Sequence, residues 1–120
     1  MFKPILKNLV EQTPGAQTAI LMGCDGIFVD HFTIDSAVEE EGQAVAVEFA
    51  AVVTEVSHAA SLLNVGGLDE IAVKCGNLSI LLSMLTNEYF VALLINRDGN
   101  AAKGRYLLRR DAHLLRSALD

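Results

Sequence analysis

Between Gly76 and Asn96 the sequence GNLSILLSMLTNEYFVALLIN carries a single charged residue, Glu88. Few architectures can hold such a run. At this length it approaches the ~20 apolar residues that cross a bilayer as a helix. Gly76-Asn77 and Thr86-Asn87-Glu88 are turn signals, however, and they cut the run into Leu78–Leu85 and Tyr89–Asn96. Each piece has strand length and is apolar at nearly every position. Such strands must be central in a sheet and covered on both faces, because a strand with one wet face alternates. The chain is therefore expected to be a layered molecule with helices on both sides of a sheet.

The preceding segment supplies the contrast. Asp69 to Cys75 alternates, with Asp69, Ile71, Val73 and Cys75 on one face and Glu70, Ala72 and Lys74 on the other, the pattern of a strand near an edge. Upstream, Ala16–Met22 and Ile27–Phe32 read as two strands joined by Cys24-Asp25-Gly26. Asp and Gly suit such a link because both tolerate positive φ. Pro4 with Ile5, Leu6, Leu9 and Val10 reads as a short first helix with proline in its opening turn, stopped at Thr13-Pro14-Gly15. Gln43–Asn64 reads as a long helix ended by Gly66-Gly67, with Thr33–Gly42 as a loop placing Glu39, Glu40 and Glu41 before the positive end of the helix dipole. Ala101–Leu119 reads as a final helix, apolar along Leu107, Leu108, Leu114, Leu115 and Ala118 and basic along Arg105, Arg109, Arg110 and Arg116. The order helix, two strands, helix, three strands, helix (α-β-β-α-β-β-β-α) makes one domain, residues 1–120, an α+β sandwich.

The long helix offers two stripes at ~100° per residue. Val45, Phe49, Val52, Val56, Ala60 and Leu63 form a bulky one, expected to lie on the sheet. Ala46, Ala50, Thr54, Ser57 and Ser61 form a small-residue one, expected to admit a second helix, for which the mate at hand is a copy of the same chain. Composition points the same way. The chain is 52% hydrophobic and 20% charged, with mean hydropathy +0.37, more apolar surface than 120 residues readily hide, which favours a homo-oligomer. Lys7 interrupts what would be the apolar part of a signal peptide, and two cysteines make no disulfide framework, so the expected compartment is the cytoplasm.

Charge is segregated along the chain. Glu11 to Glu70 contains eleven acidic residues and no Lys or Arg, whereas Arg97 to Asp120 contains six of the nine basic residues. An acidic stretch of that extent repels phosphate backbones and argues against nucleic acid as a partner. It is either a solvated acidic surface or a docking surface for a basic partner.

No constellation for catalysis emerges. In LMGCDGIFVDHF, Asp30 and His31 are neighbours on a strand, so their side chains point to opposite faces and cannot converge. Cys24 has no Cys or His at zinc spacing. Glu55-x-x-His58 has the spacing of di-iron bundle ligands, but those sites require four helices and further glutamates. NVGGLDE lies between a helix and a strand, the reverse of a phosphate loop. Ser79 and Ser83 lie on a buried strand without a histidine nearby, and His113 stands among arginines. Arg97, in the loop Arg97-Asp98-Gly99-Asn100, has the loop setting of an arginine finger for a partner GTPase, but an arginine in such a loop is ordinarily just solvated, and that is the reading preferred here. No cofactor or metal is expected.

Two strings carry a family resemblance. TPGAQTAILMGCDGIFVD resembles the first hairpin of the Roadblock family of dynein light chains at Pro14-Gly15, Ala19, Ile20-Leu21-Met22, Asp25-Gly26 and Val29. GNAAKGRYLLRR resembles that family's entry into its last helix at Asn100, Gly104, Arg105 and Arg109-Arg110. The likeness extends along essentially the whole chain and is strongest to the bacterial regulators of small Ras-like GTPases. Gly23 departs from it, since many relatives carry aspartate there. The resemblance implies a profilin-like fold with a five-stranded antiparallel sheet. It also implies a homodimer in which the third strands pair and the second helices pack antiparallel, giving ten strands. Ala46, Ala50, Thr54, Ser57, Ser61, Ile71 and Val73 would then form the dimer interface. It further implies a regulator without an active site that binds a small Ras-like GTPase. For that docking, Glu48, Glu55 and His58 on the exposed arc of the long helix are the candidates, bordered by Glu40 and Glu41. The other classes compatible with the sequence are a dimeric scaffold that leaves turnover unchanged and a small-ligand sensor with a pocket between helix and sheet.

Overall fold

The computed structural model describes residues 1–120. Helix α1 (Lys3–Gln12), strands β1 (Ala16–Gly23) and β2 (Phe28–Thr33), helix α2 (Glu39–Leu63), strands β3 (Glu70–Lys74), β4 (Leu78–Met84) and β5 (Tyr89–Asn96), and helix α3 (Ala101–Leu119) follow in that order. All neighbouring strands are antiparallel, in the spatial order β2-β1-β5-β4-β3. The apolar strands β4 and β5 take interior places, and β5 lies at the centre between β1 and β4. The strands with polar alternation, β2 and β3, form the two edges.

The first hairpin closes as its turn chemistry requires. Asp25 Oδ1 accepts the Ile27 N–H at 3.0 Å, and Gly26 has φ +87°, the left-handed conformation glycine adopts without steric cost. Gly23 N–H donates to Ile27 O and Gly26 N–H donates to Gly23 O, both at 2.9 Å. The glycine that departs from the family pattern therefore leaves the turn's hydrogen bonds intact.

Two cores form, one per sheet face. Leu6, Leu9 and Val10 of α1 and Leu107, Leu108 and Leu115 of α3 pack on one face with Leu21, Leu81, Leu93 and Ile95. On the other face, Ala46, Ala50 and Val53 of α2 pack with Ile20, Met22, Phe90, Ala92 and Leu94. Leu114 was expected on the apolar side of α3 and is exposed instead.

The long helix departs most from expectation. It begins at Glu39 rather than Gln43, preceded by a 3-10 turn at Ser36–Val38 whose Asp35 side chain accepts the Ala37 N–H at 2.9 Å. Glu39, Glu40 and Glu41 thus form its first turn instead of a loop, where their charges still suit the dipole. It ends on Asn64, whose φ of +58° and N–H bonds to Ala60 O and Ser61 O make the left-handed cap that the sequence had pointed to at Gly66-Gly67.

Its orientation is also reversed. The small residues Gly42, Ala46 and Ala50 face the sheet, and the bulky stripe does not: Val52 and Val56 are each 37% exposed, Leu63 is 72% exposed, and Val45 and Phe49 are half-buried. The reason is complementary volume. The sheet supplies the large side chains, so the helix must supply small ones to approach. A Cβ added at Gly42 would lie 3.0 Å from Thr18 Cγ2.

Candidate interaction surface

α2 is the helix least used by its own chain. By length and composition Ser36–Leu63 is apolar enough to cross a membrane, yet only 17% of its most apolar window is buried. Ala46 and Ala50 are sealed inside the protomer, which corrects their assignment to a dimer interface: a residue covered by its own sheet presents nothing to a second chain. Thr54 is exposed with its hydroxyl turned back to Ala50 O at 3.1 Å. Ser57 and Ser61 line an open crevice with Asn64, Gly66 and Asn87. The open apolar flank is the bulky stripe. Val45 and Phe49 lean on the same core as Ile71 and Val73 of β3, and Val52 and Val56 continue that flank into solvent.

β3 borders this flank and is paired on one side only. Cys75 N–H bonds to Leu78 O, and Met84 N–H bonds to Asp69 O. By the alternation of an antiparallel ladder, the odd-numbered residues of β3 bond to β4, and Glu70, Ala72 and Lys74 turn their backbone groups outward. No side-chain hydrogen bond in the chain reaches the backbone of β3. The edge is open.

The side chain of Glu70 is held from the α3 side. Arg105 Nε donates to it at 2.6 Å and Arg109 Nη2 at 3.0 Å. The hydrogen bond from Arg109, seconded by Arg105 and opposed by partial desolvation, holds the Glu70 carboxyl below the usual carboxylate range. Ile71 and Val73 point to the α2 face, half-buried.

The candidate docking residues Glu40, Glu41, Glu48, Glu55 and His58 are all exposed along α2. Glu39 is different: its Oε1 meets His31 Nε2 at 2.5 Å, joining the start of α2 to β2. Asp30, on the opposite face of β2, instead meets Lys3 Nζ of α1 at 3.1 Å. Adjacent residues thus serve opposite layers, as strand geometry demands.

Arg97 is exposed in its loop. Ser79 and Ser83 are buried on β4. Burial, followed by the nearby Asp25 and Glu88 charges, pushes the Cys24 thiol up, away from the thiolate that a nucleophile requires. No three His, Cys, Asp or Glu side chains gather in metal-binding geometry.

Comparison with known proteins bears on what those surfaces belong to. The chain is 34% identical to MglC from Myxococcus xanthus, over 98% of both chains, with a TM-score of 0.71. It belongs to the Roadblock/LC7 family. At the level of fold the likeness is wider. A Roadblock/LC7 domain from Streptomyces avermitilis superposes with a TM-score of 0.83 at 19% identity, covering 96% of this chain and 94% of that one. The gliding protein MglB from Thermus thermophilus reaches 0.84 at 16% identity, covering 96% and 85%. No family model and no curated protein matches the chain.

Two parts of this surface escaped the sequence. The bond between His31 and Glu39 joins residues eight apart, across what read as a loop. The clamp on Glu70 had a visible signal: Glu70 stands on the polar face of β3 and Arg105 and Arg109 lie four apart on one side of a helix, but only the topology brings them together.

Proposed function

We propose that this Roadblock-family chain is a non-enzymatic regulator that works as a homodimer and binds a small Ras-like GTPase in the cytoplasm. The observation that carries this reading is the union of an open strand edge, an apolar helix flank and an acidic, cation-free helix arc on one side of the molecule. Edge and flank together suit a second copy, and the arc suits a basic partner.

The edge is self-complementary. Two β3 strands paired antiparallel about Ala72 place Glu70 opposite the partner's Lys74, and Ile71 opposite the partner's Val73. All five residues pair, and the outward backbone groups of Glu70, Ala72 and Lys74 find matching groups. Pairing removes a free edge, extends the sheet to ten strands, and brings the stripe Val45/Phe49/Val52/Val56 toward its copy. This replaces Ala46 and Ala50 in the interface with the bulkier residues beside them.

On such a dimer Glu40, Glu41, Glu48, Glu55 and His58 face outward and form the docking platform for the GTPase. The chain lends no catalytic group, so its effect on the nucleotide cycle comes through repositioning the GTPase's own residues. Kinship with MglC and the fold shared with MglB, a gliding protein, support a regulatory role of this kind.

The test is single-turnover GTP hydrolysis by the Ras-like GTPase encoded nearest to this gene, titrated with this protein past two chains per GTPase. Acceleration that saturates near two chains, and is lost in Glu48→Lys/Glu55→Lys at both low and physiological salt, is the expected result. Saturable binding with unchanged hydrolysis makes the chain a scaffold. Binding indifferent to the charge reversal moves the docking site off α2.

A further inference from the structure

The opposite edge of the sheet is also unpaired, but it is not open. Ile34 N–H bonds to Gln17 O, so from Asp30 to Ile34 the even-numbered residues of β2 bond to β1 and the odd-numbered ones turn outward. His31 and Thr33 make up that outward row. The His31 N–H is taken by Asp30 Oδ1 at 2.8 Å, and its C=O is taken by Lys3 Nζ at 2.7 Å. Lys3 also pairs with Asp30 at 3.1 Å. One lysine from α1 and one aspartate from β2 thus close both backbone groups that an incoming strand would need first.

What they close is otherwise a competent pairing edge. Phe28 is 37% exposed and Val29 40% exposed, and Ile27 beside them is 66% exposed. A six-residue strand with exposed apolar side chains and no proline is the kind of edge that recruits another strand. Paired with its own copy about His31, β2 would set His31 opposite itself, Asp30 opposite Phe32 and Val29 opposite Thr33 of the other chain.

We infer that Lys3 and Asp30 form a lock on β2 that limits sheet growth to β3, so that assembly stops at two chains. Released, β2 takes β2 of another molecule of this chain, and dimers join end to end into longer sheets. The inference rests on the dimer reading for the number two, and on the β2 hydrogen bonds for the lock itself.

The experiment compares the native protein with Lys3→Ala/Asp30→Ala by light scattering and sedimentation across a hundredfold range of protein concentration. The same pair of changes is placed in an Ala72→Pro background, where β3 can no longer pair. The expected result is a native species fixed at two chains and a double variant that climbs with concentration to four chains and beyond. In the Ala72→Pro background, release of the lock should give a step from one chain to two.

If the double variant keeps the native circular dichroism yet stays at the native mass, and does so in both backgrounds, the lock is overturned. A native protein that runs as one chain throughout defeats the dimer reading instead, while the lock is still read from its release. Lys3→Ala alone, an exposed substitution in the first turn of α1, carries the test should the double variant fail to fold. It should raise the mass at the highest concentrations, and an unchanged mass there counts against the lock.

Discussion

The two edges of this sheet face the same hazard and meet it by opposite means. β2 is closed from within: Lys3 reaches 28 residues forward to the His31 carbonyl, and Asp30 folds back onto the next N–H. β3 is left bare, and its five residues Glu-Ile-Ala-Val-Lys, laid antiparallel on themselves about Ala72, are opposite in charge where charged and matched in bulk at every pair. An edge that must not pair is blocked by side chains, whereas an edge meant to pair carries complementarity and nothing that blocks it. Exposure alone does not tell the two apart, since both strands present apolar side chains at the surface. The fate of the outward backbone groups does.

The comparison breaks most sharply at Ala72. Proline there removes an N–H that points away from β4 and therefore spares the ladder inside the protomer. The expected outcome is loss of the dimer at micromolar concentration, seen as a halved mass in light scattering with the circular dichroism of the fold retained. Proline at the same depth in β2, at His31, should leave the mass unchanged.

The apolar flank of α2 comes next. Val52→Asp/Val56→Asp puts charge where the second copy would bury two half-exposed valines, and should weaken the dimer by roughly 2–3 kcal/mol. Thr54→Asp on the same helix should have little effect, because Thr54 lies outside that flank. Sedimentation equilibrium of the two variants side by side gives the difference. An equal effect from both would return the interface to the small-residue face.

That reversal shows what could be read from the sequence. The element order, the central β4 and β5, the Asp25-Gly26 turn and the edge character of β3 all follow from local pattern, because period, turn residues and charge are properties of short segments. The side of α2 that meets the sheet is not such a property. Hydrophobicity ranks the bulky stripe first, and here volume overrules it. The choice falls to volumes on the other partner, where Ile20, Met22 and Phe90 already fill much of the layer, and Ala46 and Ala50 with Val53 complete it. The same reasoning covers Lys3 and Glu39. Each is an ordinary charged residue until the topology sets it beside His31, and no spacing in the chain announces that contact.

A smaller effect is expected at Lys74. Lys74→Glu sets a carboxylate opposite the partner's Glu70 twice in a symmetric dimer, at a cost of roughly 1–2 kcal/mol for the two pairs together, falling with added salt. A dimer constant indifferent to this change at low salt would shift the pairing register away from Ala72.

The smallest effect concerns Glu70 itself and depends on pH. Its carboxyl is held below the usual value of 4.5 by Arg109 and then Arg105. A group whose folded pKa is depressed contributes stability above its unfolded pKa, and that contribution disappears as pH falls through the folded value. With its side chain partly open to solvent, Glu70→Gln should lower stability by roughly 0.5–1 kcal/mol at neutral pH. The gap between variant and native protein should hold steady down to about the unfolded carboxylate range and close below it. Urea unfolding from pH 7 to pH 3 follows that gap, and a gap that widened on acidification would mean that the clamp from α3 does not hold the ionised carboxylate. Because the same carboxylate faces the partner's Lys74 in the paired edge, the dimer constant should fade over the same pH range.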